Sequence, residues 1–133
     1  MVKVFYTEDI RKMEELTCEQ KQISIRELMY QAGYVLAKDF LSRVMPLVKE
    51  EILVIAGTGN NGGDALVVFQ ELKQNGYNVK LAIIGDAEKG SETFKFYLKM
   101  LPQHIELITM ESIEKAVRKS KFIIDGIFGI GLN

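Results

Sequence analysis

Two short segments hold the side chains best placed for chemistry. They are Gly57-Thr58-Gly59-Asn60-Asn61-Gly62-Gly63-Asp64 and Asp125-Gly126-Ile127-Phe128-Gly129-Ile130-Gly131-Leu132. Gly57, Gly59 and Gly62 satisfy G-x-G-x-x-G, the spacing that brings backbone amides close to a pyrophosphate. That match is weak alone, because glycines collect in any tight strand-to-helix turn. Two features pull the chemistry elsewhere. Asp64 is expected in the first turn of the next helix, where a phosphate needs bare N–H groups and the positive end of the dipole. Asn60 and Asn61 add amides and carbonyls that a backbone cradle does not need. An oxygen-rich loop beside a carboxylate suits a cation, or hydrogen bonds to a polar heterocycle or sugar. Asp86, just past a later strand, keeps an ordinary NAD site open by offering an acid to a ribose hydroxyl. The structural alternative is that Asn60 and Asn61 adopt left-handed turn conformations and Asp64 caps the helix. The second segment adds an acid at a strand tip and another Gly-x-Gly turn; its plain alternative is a solvated turn with Asp125 as N-cap. Two such segments on one sheet edge predict a binding cleft between them.

The elements that must position these segments follow from periodicity. Thr7 is placed to cap a first helix carrying Ile10, Met13 and Leu16 on one face. Ser24-Ile25-Arg26-Glu27 forms a capping box for a second, with Ile23 and Leu28 at the spacing of a hydrophobic staple. Its apolar stripe runs from Leu28 to Val44 until Pro46 stops it, and Ala32 and Gly33 permit close approach of a neighbour. Ile52 to Ala56 is a continuous apolar run of the kind buried on both faces of a parallel sheet. A helix from about Asp64 to Asn75 follows, with Leu66, Val67, Phe69 and Leu72 inward and Gly76 as its C′ residue. Strands at Val79–Ile84, Ile105–Ile108 and Phe122–Ile124 alternate with a Ser91-capped helix and a short one over Ile113–Val117. That order predicts an α/β fold, a Rossmann-like three-layer sandwich with a mostly parallel sheet.

Composition narrows the class. The 133 residues carry 17 Lys plus Arg against 18 Asp plus Glu, a net charge of −1, and 47% hydrophobic residues. A length of this order fits one domain, residues 1–133. High apolar content with little net charge argues against disorder. A pI near 5.9 and no basic stripe argue against a nucleic-acid surface. The apolar runs are too short to cross a bilayer, and the first residues lack the order of a signal peptide. One cysteine, Cys18, makes no internal disulfide, which predicts a cytoplasmic protein. Cys18 and the lone His104 have no partner in the sequence that suggests chemistry; Tyr77, Tyr97 and the methionines read as packing, and Glu111 to Lys121 as a solvated face.

The asparagine-pair loop from Ala56 to Val67 and the run Asp125 to Leu132 resemble the two signature motifs of the YjeF N-terminal domain family, the NAD(P)H-hydrate epimerases. Leu28-Met29-Tyr30-Gln31-Ala32-Gly33 is similar to that family's Met-Glu-x-Ala-Gly helix. Tyr30 stands where the family usually has Glu, Ala65 where it has Gly, and Ile130 where it has Thr, which removes a hydroxyl from a phosphate-contacting turn. The resemblance implies an isomerase, involved in metabolite repair, that interconverts the R and S forms of NADHX and NADPHX, hydrated nicotinamide cofactors. It implies substrate binding by Asn60, Asn61, Gly62, Gly63 and Asp64 together with Gly129, Ile130, Gly131, Leu132 and Asn133. It also implies a potassium ion on Asn61 and Asp125, and it names no proton-transfer residue. The family's Asp-x-Pro-Ser-Gly segment would lie beyond Asn133, so an incomplete domain is expected. Excess apolar residues in the two amino-terminal helices predict a homodimer. The competing reading is a non-catalytic nucleotide-binding or dimerising scaffold of the same fold, which has no reason to keep Asn61, Asp64 and Asp125.

Overall fold

The structure, a computed structural model, describes residues 24–127. The helix expected after Thr7, Cys18, the Ile23 half of the staple and positions 128–133 lie outside the described residues. Helix α1 spans Ile25–Val44; the Ser24 hydroxyl accepts the Glu27 N–H at 3.1 Å, and Met45, left-handed at φ 47°, ends it before Pro46. Strand β1 is Ile52–Ala56, buried at all five positions. Helix α2 spans Asn60–Gln74. Gly76, at φ 85°, lets the chain double back, with N–H bonds from Gly76 to the Lys73 carbonyl and from Tyr77 to the Leu72 carbonyl, both 3.1 Å. This is a Schellman closure, which a residue with a Cβ makes only under strain. Then come β2 (Val79–Ile83), α3 (Glu92–Met100, capped by Ser91), β3 (Leu107–Ile108), α4 (Ile113–Lys119) and β4 (Phe122–Gly126).

All four strands are parallel, in the order β3-β2-β1-β4. After β1 the chain builds outward through β2 and β3, then returns to the far side of β1. The switch point therefore lies between β1 and β4, where ligands bind in open α/β sheets. Ile52, Val54 and Ala56 face α2 and α3, joining Leu66, Phe69, Leu72 and Phe94 in the main core. Leu53 and Ile55 face the other way, with Ala82 and Ala116 of α4. That makes three layers. Gly33 brings α1 onto α2: a Cβ there would sit 2.5 Å from the Val67 Cβ. Ala32 is exposed and takes no part in that approach.

Several boundaries differ from the periodicity. Helix α2 begins four residues before Asp64, because glycines read as loop residues are helical here. β3 keeps only two of its four expected residues, while β4 runs two further and includes Asp125. α4 extends to Lys119, and Ser120 closes it by donating its hydroxyl to the Ala116 carbonyl at 2.6 Å.

Candidate functional site

The asparagine-pair loop is the first turn of a helix. Gly59 is the N-cap of α2 and offers no side-chain cap. The first intrahelical bond joins the Gly63 N–H to the Gly59 carbonyl at 3.0 Å. The N–H groups of Asn60, Asn61 and Gly62 therefore open outward from the helix start. Neither asparagine has a left-handed φ, and Asp64 is not a cap, so the structural alternative for this loop fails on both counts. No acid occupies the first turn of α2. The objection that Asp64 would repel a phosphate from the helix start is removed with it.

Backbone contact requires Gly62, whereas Gly63 meets the flexible end of Met29. A Cβ on Gly62 would lie 1.8 Å from the Gly57 carbonyl oxygen, and one on Gly63 would lie 2.5 Å from the Met29 sulfur. The helix start is thereby pressed onto the end of β1. Gly57 in turn donates its N–H to the Gly126 carbonyl at 3.0 Å, and a Cβ on it would meet the Ile127 carbonyl at 2.6 Å. The two segments predicted to form one cleft are in backbone contact at the switch point as far as Ile127. Asp125, paired in register with Ile55, is exposed at the carboxyl end of β4. One of its oxygens accepts the Ile127 N–H at 2.9 Å. Asn61 lies beside the next residue, Gly126: its backbone oxygen is 3.4 Å from where a Cβ there would stand, while Asp125 shares the face of its register partner Ile55.

Sequence reasoning missed the support beneath this turn. Thr93, on α3, donates its hydroxyl to the Asn60 side-chain oxygen at 2.6 Å, and Ser91 gives its N–H to the Thr58 carbonyl at 2.9 Å. Oriented this way, the Asn60 amide presents its NH2 donor rather than its oxygen. A residue 33 positions away leaves no local signal for such a contact. Burial pushes the Tyr97 phenol above its ordinary value, with the Tyr30 phenol and the Asp64 carboxylate adding to the rise. Asp64 thus belongs to the electrostatic surroundings of Tyr97. Asp86 caps the 3-10 turn Ala87–Lys89, accepting the Glu88 N–H at 3.0 Å. That bond uses one of the two oxygens of the acid expected for a ribose. Gly129, Ile130, Gly131, Leu132 and Asn133 lie outside the described residues.

A parallel α/β domain with a glycine-lined helix start and an acid across the switch point has the architecture of the open-sheet class, whose ligand clefts lie at the carboxyl edge. Residues 25–133 match the YjeF-related protein N-terminus family, and the chain belongs to it. The NAD(P)H-hydrate epimerase of Lentilactobacillus buchneri is 29% identical over the whole chain, which covers 60% of that relative. The bifunctional NAD(P)H-hydrate repair enzyme Nnr of Dictyoglomus turgidum is 29% identical over 98% of the chain, covering 26% of its own length. Among solved structures, the crystal structure of yeast ynu0 (YNL200c) superposes with a TM-score of 0.81 at 28% identity, over 99% of this chain and 59% of that one. The chain thus spans about three-fifths of the length of epimerase relatives it matches from end to end.

Proposed function

We propose that this chain supplies the substrate- and cation-binding part of an NAD(P)H-hydrate epimerase acting on NADHX and NADPHX. The observation that carries the reading is the meeting, at the switch point, of the bare α2 start with the Asp125 tip of β4. Inversion at a hydroxyl-bearing carbon needs the ring held while a bond is broken and remade there. Asn60, Asn61, Gly62 and Gly63 offer N–H and amide donors for the substrate, with Asp64 behind them; Gly129, Ile130, Gly131, Leu132 and Asn133 would complete the grip. The donor set beside Gly126 also fits a potassium ion. Asp125 keeps one oxygen outside its bond to Ile127, and Asn61 supplies neutral oxygens near Gly126. When bound, the ion would supply a fixed positive charge that anchors both segments. The working unit we propose is a single domain, a homodimer, in the cytoplasm. Exposed apolar side chains on α1 support the dimer, and among the described residues no helix is long and apolar enough to cross a membrane.

The test is epimerisation of a mixed NADPHX sample by the full-length protein, with and without Asp125→Asn. Loss of the charge should cut the rate at least about tenfold and move its potassium dependence to higher concentration. If Asp125 serves only to cap its turn, Asn is nearly equivalent, and the change is about a few tenths of a kcal/mol in stability with no change in rate. An unaltered rate and potassium dependence would remove Asp125 from the site.

A further inference from the structure

At the opposite, amino edge of the sheet, β3 pairs with β2 only through Leu107 and Ile108. Ile105 and Glu106 have left the ladder, so the first residues of β2 lose a neighbouring strand. A cleft of about 470 Å³ opens there, between the carboxyl end of α2, β2 and α4. Its size is in the range that takes small metabolites. Its wall is apolar, formed by Phe69, Val79, Ile105, Ile108 and Ala116, while Lys73, Lys80, Lys115, Lys119 and His104 line it with positive or protonatable groups. Lys73, Lys80 and Lys115 have no ion-pair partner within 4.0 Å among the described residues. Lys115 and Lys119 come from the run read in the sequence as a solvated face.

Glu51, immediately before β1, lines the same cleft with its side chain only 9% exposed. Its Oε2 is shut off from water and has no hydrogen-bond donor; the ammonium of Lys119 stands 3.9 Å away, too far to supply one. A buried carboxylate oxygen without a donor is costly, and more so where apolar walls lower the dielectric. Lys119 is largely exposed and free to swing aside. The cleft therefore combines a carboxylate oxygen lacking a donor, an apolar wall, and four lysines against the two carboxylates of Glu51 and Glu106.

The geometry points to a second ligand site here, for a nucleoside monophosphate. The lysines hold the phosphate, the apolar wall takes the base, and Glu51, uncovered as Lys119 swings aside, accepts from the base's N–H groups. Of the common bases, guanine presents two adjacent donors, which suit a carboxylate. The site is separate from the switch-point cleft and does not depend on the epimerase reading.

GMP and inorganic phosphate, titrated separately into the isotope-labelled protein and followed by amide chemical shifts, test it. GMP should give saturable shifts at positions 104–108 and 115–119, with a dissociation constant below about 1 mM. The double variant Lys73→Glu/Lys115→Glu changes only surface charges and should weaken GMP at least about tenfold. Glu51→Gln should reduce GMP binding towards that of inorganic phosphate, because one of the two acceptor oxygens is replaced by an NH2 donor that opposes the base's own donors, and leave inorganic phosphate itself unaffected. Shifts confined to the amides of Asn60, Asn61 and Gly62 would place the ligand at the other edge and overturn the proposal. So would equal affinity in the charge-reversed variant, or no saturation by about 10 mM.

Discussion

Gly62 shows how one residue type serves both folding and chemistry. Its missing Cβ lets the start of α2 rest on the Gly57 carbonyl, and that contact directs the bare amides of Asn60, Asn61 and Gly62 towards the β4 tip. Gly62→Ala would force backbone against backbone, which no rotamer change relieves. We expect a loss of at least about 2–3 kcal/mol, seen as a lower thermal midpoint. Gly59→Ala is the control, since a Cβ there meets nothing within 4 Å. It should cost less than about 1 kcal/mol, the difference between the two residues as N-caps. Similar losses in both variants would show that the close approach is not what requires Gly62. Thr93 is the matching case among polar residues. Thr93→Val keeps the volume of the side chain and removes the donor to Asn60. The Asn60 amide is then free to turn, and substrate should bind more weakly by about threefold to tenfold with stability changed by less than about 1 kcal/mol.

Among the elements, α3 matters more than its nine residues suggest. It carries Thr93 and Ser91 under the site turn, and Tyr97, whose hydroxyl donates to the Arg26 carbonyl of α1 at 2.6 Å. Burial favours the neutral phenol of Tyr97, so its folded pKa lies above the ordinary 10.0. The stability it contributes is complete below pH 10.0 and is lost as pH rises through the raised value. Tyr30 is raised as well, chiefly by its hydrogen bond to Glu71. An alkaline titration followed by tyrosinate absorbance should therefore show two lagging tyrosines among the described residues. Tyr97→Phe should remove one, shift alkaline unfolding to higher pH, and cost about 1 kcal/mol near neutrality. If all tyrosines titrate together near pH 10, the burial argument for Tyr97 is wrong. These elements were legible in the sequence to unequal degrees. β1 matches its apolar run residue for residue, because continuous burial leaves no other pattern. The start of α2 was misplaced because Gly62 and Gly63 weigh against a helix locally, while their packing on Gly57 and Met29 decides the matter. β3 was overextended because Ile105 and Glu106 look like strand yet turn aside into a cleft. The bond from Thr93 to Asn60 exists only in three dimensions.

At the scale of the whole molecule, the strand order sets two different edges. The carboxyl edge gathers glycines, asparagines and Asp125 at the switch point, and the amino edge gathers the lysines around Glu51. Neither involves the outer face of α1, which carries apolar side chains among its charged ones: Val35 is 62% and Leu36 53% exposed, with Tyr30 and Tyr34 stacked at 6.5 Å nearby. One side of α1 is fully accounted for by α2, since Met29, Gly33 and Ala37 are buried. Apolar side chains left over on a helix already seated against its neighbour are the usual mark of a partner. A second copy of the chain is the simplest one, because a two-fold axis would set each α1 against its equivalent and cover both surfaces at once. The expected outcome is a dimer by light scattering at micromolar concentration. Val35→Asp with Leu36→Glu should yield monomers without unfolding, since neither side chain contributes to the core. The variant also separates assembly from chemistry. A monomer that retains epimerase activity would show that each site is complete within one chain, as the in-chain contact between α2 and β4 suggests. A wild-type protein that stays monomeric at high concentration would refute the dimer and leave the α1 surface without an assigned role.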